Sequence, residues 1–289
     1  MAYYPHMSHP SPSIPEPPLT ARELLAFYLE AGVDCALLDE PPNRLHDPDL
    51  AGPSAQVPAA PAPAVGPATP VAAAPRATVA PAPDVAIASA REAARTAPTL
   101  AALRTLLETF DGCALKMTAT RLVFADGNPE ARVMFVGEAP GRDEDLEGIP
   151  FIGRSGKLLD RMIGAIGLDR TSAYIANVIP WRPPGNRDPS PQETQICLPF
   201  IKRQIELVNP DVLVCLGKPS SQAVLDLKDG IMRTRGRWHS YDTGTRTIRA
   251  MATFHPAYLL RQPIYKRLAW QDLRAIAKAL KETGNKPSS

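Results

Sequence analysis

Val136-Gly137-Glu138-Ala139-Pro140-Gly141-Arg142-Asp143-Glu144-Asp145 follows the apolar run Ala131-Arg132-Val133-Met134-Phe135 and crowds two glycines, a proline and four carboxylates into one turn. A buried strand ending in such a loop puts backbone N–H groups and acids at the carboxyl edge of a parallel sheet, where open α/β folds place their ligands. Working outward, the β-branched runs at 132–137, 173–179, 211–217 and 247–254 read as four buried strands. Helical patterns fall between and after them: 156–166 with Leu158, Leu159, Met162, Ile163 and Ile166; 191–208, opened by Ser190 and Pro191 as N-cap and first-turn residue; 220–227; and 265–281. Residues 237–241 and 247–251, joined across Asp242-Thr243-Gly244, read as a hairpin feeding the last strand. Strand and helix in alternation predict an α/β fold, a parallel sheet covered by helices on both faces.

The chain has 289 residues, and its first hundred hold 19 of the 33 prolines. Residues 1–46 read as an N-terminal segment with a short helix at 19–39. Residues 47–85, alanine and proline with hardly a large side chain, read as a disordered tether, because they bury too little apolar surface to offset their ordering entropy. A folded domain is expected over 86–289, entered through an alanine-rich helical stretch with Leu100, Leu103, Leu106 and Leu107. From Phe110 onward there are 26 Lys/Arg against 19 Asp/Glu, a net of +7 within a chain of net +2, which suits a polyanionic partner. Cys35, Cys113, Cys197 and Cys215 are scattered with no C-x-x-C, the pattern of reduced thiols. No apolar run is long enough to span a bilayer and the N-terminus lacks a signal-peptide pattern, so a soluble, cytoplasmic monomer without membrane association is expected.

Each strand tip carries something polar: Glu138, Asn177, Gly217-Lys218 and His255. In a parallel sheet these ends lie side by side, so an acid, an amide and an imidazole converge on one cleft. An amide offers one donor and one acceptor in a fixed plane, which matches the O4/N3–H edge of uracil and mismatches cytosine. Phe151, between Pro150 and the next glycine turn, suits stacking on a flat ring. His255 suits donation to a carbonyl oxygen that gains charge as a base departs.

Residues 136–159 (VGEAPGRDEDLEGIPFIGRSGKLL), 174–187 (YIANVIPWRPPGNR) and 254–261 (FHPAYLLR) resemble the family 4 uracil-DNA glycosylases over roughly 110–281. The resemblance implies a three-layer α/β/α sandwich around a central four-stranded parallel sheet, DNA as partner, and excision of uracil to leave an abasic site. It implies Glu138 as first choice for the water-orienting or cation-stabilising carboxylate, Asp145 as second, and His255 over uracil O2. Gly137, Ala139, Phe151 and Asn177 are the expected uracil contacts. Lys157, Arg182, Arg187, Leu259, Leu260 and Arg261 are the expected DNA contacts, with Lys266 beside them; the two leucines and Arg261 would wedge into the vacated space. The family usually binds a [4Fe–4S] cluster through four cysteines. Here only Cys113 and Cys197 match, Phe110 and Trp181 standing at the other two places, so the cluster is expected to be absent and the enzyme to work without cofactor or metal. The alternative is a non-catalytic sensor of damaged DNA with the same pocket.

Overall fold

The structure is a computed structural model that describes residues 83–284. The expected N-terminal segment at 1–46, with its helix, and nearly all of the expected tether lie outside the described residues. The last residues of the tether span open helix α1 (Pro83–Thr96), so helix begins ahead of the expected domain start at 86. The helical stretch beyond is two helices rather than one. A break at Ala97-Pro98-Thr99 separates α1 from α2 (Leu100–Thr109), and the Thr99 side chain caps α2 by accepting the Ala102 N–H at 3.2 Å.

A short α3 (Leu115–Thr118) leads to β1 (Asp126–Gly127), then β2 (Val133–Gly137), α4 (Arg142–Glu147), α5 (Arg154–Gly164) and β3 (Tyr174–Asn177). After a single 3-10 turn come α6 (Pro191–Val208), β4 (Val212–Leu216), α7 (Lys218–Leu225), α8 (Ile231–Thr234), the hairpin β5 (Trp238–Asp242) and β6 (Thr247–Thr253), α9 (Pro256–Arg261) and α10 (Lys266–Gly284). The sheet order is β1-β3-β2-β4-β6-β5. The expected four parallel strands form its centre, β3-β2-β4-β6, but the sheet has six strands, because β1 and β5 add antiparallel edges. The expected hairpin is β5–β6.

All residues of β2, β3 and β4 are buried, as strands covered on both faces require. Alternate residues go to opposite layers. Met134, Val136, Tyr174, Ala176, Leu213 and Cys215 join the core under α1, α2 and α6. Val133, Phe135, Ile175, Val212 and Val214 join the core with Leu159 and Ile163 of α5 and Leu273 and Ile276 of α10. Two apolar layers on one sheet make the three-layer sandwich. They also leave the carboxyl ends of β2, β3 and β6 as the place where polar side chains can gather.

Candidate active site

A cavity of about 200 Å³ opens at those ends, lined by Glu138, Ala139, Phe151, Ser155, Asn177, Asp188 and His255 among others. This is smaller than the roughly 300–1,000 Å³ typical of sites for drug-sized ligands, and it suits one small heterocycle. Asn177 closes β3 in register with Gly137, the last residue of β2. A Cβ at Gly137 would lie 2.4 Å from Asn177 Oδ1 and 2.5 Å from Phe151 Cζ, so only glycine lets the amide and the ring close on the same spot. Asn177 is only 4% exposed and its Oδ1 has no hydrogen-bond partner among the described residues. Such an acceptor normally costs about 1–3 kcal/mol. Asn177 lines the cavity, where a ligand N–H would satisfy that acceptor.

Phe151 is buried, with its ring centroid 5.4 Å from that of His255. His255 follows β6 and is the N-cap of α9; its Nδ1 accepts the Ala257 N–H at 3.1 Å. That bond leaves the proton of the neutral ring on Nε2. Burial, and then the charge of Arg261, push the imidazole pKa down to about 4, so at neutral pH it is an uncharged N–H donor. Glu138 is held through its backbone, its carbonyl accepting the Ile179 N–H at 3.0 Å. Burial first and the Asp188 charge second hold its carboxyl above the usual glutamate range.

The loops around the cavity are tied by a second set of acids. Glu144 accepts from the N–H groups of Gly141 (3.0 Å), Ile152 (3.1 Å) and Gly153 (3.0 Å), joining the first loop to the segment that carries Phe151. Ser190 and Glu193 cap α6 reciprocally, and Arg187 grips Glu193 through both terminal nitrogens at 2.9 and 2.6 Å. This fixes the loop bearing Arg187 and Asp188 at the cavity mouth.

Gly137, Glu138, Ala139, Phe151, Asn177 and His255 are therefore brought together as expected. Other expectations need correction. Asp145 is outside the cavity: its carboxylate accepts from Thr120 N–H (2.8 Å), Thr120 Oγ1 (2.9 Å) and Arg121 N–H (3.3 Å), which makes it an anchor for the preceding loop and not a partner for water. Leu259 is 1% exposed in the α5–α10 core and cannot act as a wedge; Leu260 and Arg261 face outward. Arg182 is turned inward, its Nε donating to Asn186 at 2.7 Å and its guanidinium 3.9 Å from Asp145. Lys157 and Lys266 are exposed. Sequence reasoning missed Ser155 and Asp188, although both adjoin the motifs. It also missed Arg142 and Arg154, which with Leu260 and Arg261 line a groove of about 440 Å³ that shares Glu144, Ser155 and Ala257 with the cavity.

A parallel sheet whose tips offer an amide, an acid and a neutral imidazole beside an aromatic ring, with arginines along the adjoining groove, defines an α/β protein that takes a flat base from a polyanion. Residues 124–274 match the Uracil DNA glycosylase superfamily, and the chain belongs to that family. Within it the chain is similar to the type-4 uracil-DNA glycosylase of Archaeoglobus fulgidus, 42% identical over 168 residues, 57% of this chain and 84% of the relative. The type-4 uracil-DNA glycosylase of Thermotoga maritima is 39% identical over 175 residues, 60% of this chain and 90% of the relative. That of Saccharolobus solfataricus is 38% identical over 173 residues, 58% and 80% respectively. The assignment is family 4-like.

These relatives overturn the expectation of an enzyme without cofactor, since type-4 homologues are iron–sulfur cluster enzymes. In this chain the Cys113 and Cys197 sulfurs lie 3.9 Å apart, both buried. Phe110, edge-on to Phe200 at 5.0 Å, and the buried Trp181 occupy the other two expected ligand places. The two cysteines supply half of a four-cysteine ligand set.

Proposed function

We propose that the cavity between Glu138, Phe151, Asn177 and His255 is where this uracil-DNA glycosylase, a hydrolase of DNA repair, holds an everted uracil and cleaves its bond to deoxyribose. The observation that carries the reading is that Asn177, whose Oδ1 is buried without a partner among the described residues, lines a base-sized cavity. Oδ1 accepts uracil N3–H and the amide nitrogen donates to O4, while Phe151 stacks on the ring. The C1′–N1 bond breaks with its electron pair going to the base. The resulting charge at O2 meets the Nε2–H of neutral His255, a donor already in place. Glu138 faces the oxocarbenium-like sugar and orients the water that adds to C1′; its carboxylate takes the proton this water loses, and the uracil anion is protonated on release, leaving an abasic site and free uracil. Free thiols at Cys113, Cys197 and Cys215 support a reducing, cytoplasmic setting, and we read the chain as a monomer on DNA.

The test is release of uracil from single-stranded, G·U and A·U oligonucleotides. Abasic product from any of them supports the reading. Tight binding to uracil-containing DNA with no abasic product would instead establish the non-catalytic sensor.

Two further outcomes are expected. Arg261→Ala weakens binding about uniformly across sequences and reduces the slope of log affinity against log salt by about one, as loss of one phosphate contact does. Fluorescence anisotropy over a salt series measures it. Asp188→Asn removes the charge that helps hold the Glu138 pKa up, so the ionised, active form of Glu138 persists to lower pH. The acid limb of the kcat/KM profile should move to lower pH; an unmoved or upward-shifted limb would separate Asp188 from Glu138.

A further inference from the structure

We propose that Arg170, in the turn before β3, is the positioning residue that holds Phe151 in stacking geometry and so sets the affinity of the pocket for uracil. The inference rests on the pocket assignment above. Phe151 has φ +56°, the left-handed region that bulky L-residues occupy rarely and only where the surroundings enforce it. The enforcement is visible on two sides of its carbonyl. On one side the backbone of α5 presses in: a Cβ at Gly156 would lie 1.6 Å from Phe151 O, so the helix approaches there only as glycine. On the other side the Arg170 guanidinium donates from Nη2 to Phe151 O and from Nη1 to Pro150 O at 3.0 Å.

Arg170 is itself fixed by two carboxylates. Nη1 donates to Asp126 Oδ2 at 2.6 Å and Nε to Asp160 Oδ1 at 2.9 Å. Asp126 belongs to β1, which pairs with β3 opposite Ile175, two residues before Asn177. The guanidinium therefore bolts the strained Phe151 turn to the strand that ends in the base-reading amide. Ring and amide meet at Gly137, where each comes within 2.5 Å of the position a Cβ would take. Only a planar, multidentate cation reaches two carbonyls and two carboxylates at once. With Arg170 gone, the Phe151 turn is free to relax toward φ below zero, and the ring leaves the face of the base.

Because stacking acts on the bound base before and during bond cleavage alike, its loss should appear in binding more than in turnover. Arg170→Ala should raise KM for single-stranded uracil DNA, and the inhibition constant of free uracil with it, by about tenfold, while kcat changes less than about threefold. Arg170→Lys should recover part of the affinity. Asp160→Asn, which weakens one of the two carboxylate contacts to Arg170 and leaves both carbonyl contacts, should raise KM and the uracil inhibition constant by clearly less than Arg170→Ala does. In a cycle with Phe151→Ala, Arg170→Ala should add almost nothing, since both act through one ring.

Wild-type uracil inhibition in Arg170→Ala, a fall in kcat at unchanged KM, an Asp160→Asn effect equal to that of Arg170→Ala, or additivity with Phe151→Ala would each overturn the proposal. Should Arg170→Ala fail to fold by circular dichroism, the lysine variant carries the same KM and inhibition test. A wild-type protein that releases no uracil would sink the pocket assignment instead, before any variant is compared.

Discussion

Replacing Asn177 with alanine is expected to lower kcat/KM for single-stranded uracil DNA by about 10³-fold while leaving the melting temperature nearly unchanged. The two halves of this expectation share a cause. In the ligand-free protein the Asn177 acceptor is buried without a partner, so removing it relieves an uncompensated polar group even as it opens a small void. In the complex the same change strands N3–H and O4 of the base in a closed cavity, and two unpaired groups at about 1–3 kcal/mol each give the stated loss. Single-turnover excision and thermal melts measure the pair of effects. If activity and melting temperature fall together by a large amount, Asn177 is a strand-end brace and the base-reading assignment fails. Gly137→Ala approaches the site from the other side: its Cβ would overlap both Asn177 Oδ1 and Phe151 Cζ, and it should impair excision without deleting any polar group.

Why these residues were legible in the sequence, and others not, follows from how local each signal is. β2 is a run of five residues buried on both faces, so its apolar stretch stands out, and Glu138 is the first acid beyond it. Asn177 and His255 mark strand ends in the same way. β1 spans only two residues, too few for any periodicity, so of the two antiparallel edge strands only β5, read as part of the hairpin, was legible. Leu259 and Leu260 are adjacent in a six-residue helix, so a turn of about 100° per residue sends one to the core and the other to solvent. Nothing in the string Leu259-Leu260-Arg261 says which, until His255 as N-cap fixes the phase. Asp145 fails similarly: it neighbours Glu144 on α4, yet its partners, Thr120 and Arg121, lie some 25 residues earlier in the chain. Arg170 carried no motif at all, because carbonyl oxygens are invisible in a sequence. The cofactor expectation rested on counting thiols at two positions, and the cluster-bearing relatives outweigh that count.

Glu138→Gln should cut kcat by about 10²–10⁴-fold, the range that a positioned acid–base or charge-stabilising group supplies, and should make the protein no less stable near neutral pH. The sign comes from linkage. Burial, reinforced by Asp188, raises the carboxyl pKa in the folded state above its unfolded value, so between the two values the folded protein binds more protons. Wild-type stability therefore falls as pH rises through that window, whereas activity, which needs the carboxylate, rises through the folded pKa. Glutamine abolishes both dependences at once: its melting temperature should meet or exceed wild type above the window and converge with it below. Catalytic need and folding preference pull the same side chain in opposite directions, as expected of a group whose charge is wanted only when a cationic sugar arrives. Melts and single-turnover rates of both proteins across the acid range decide the matter. A glutamine variant destabilised at neutral pH, or one that retains wild-type kcat, would mean that Glu138 is held in place for packing and that another group faces the sugar.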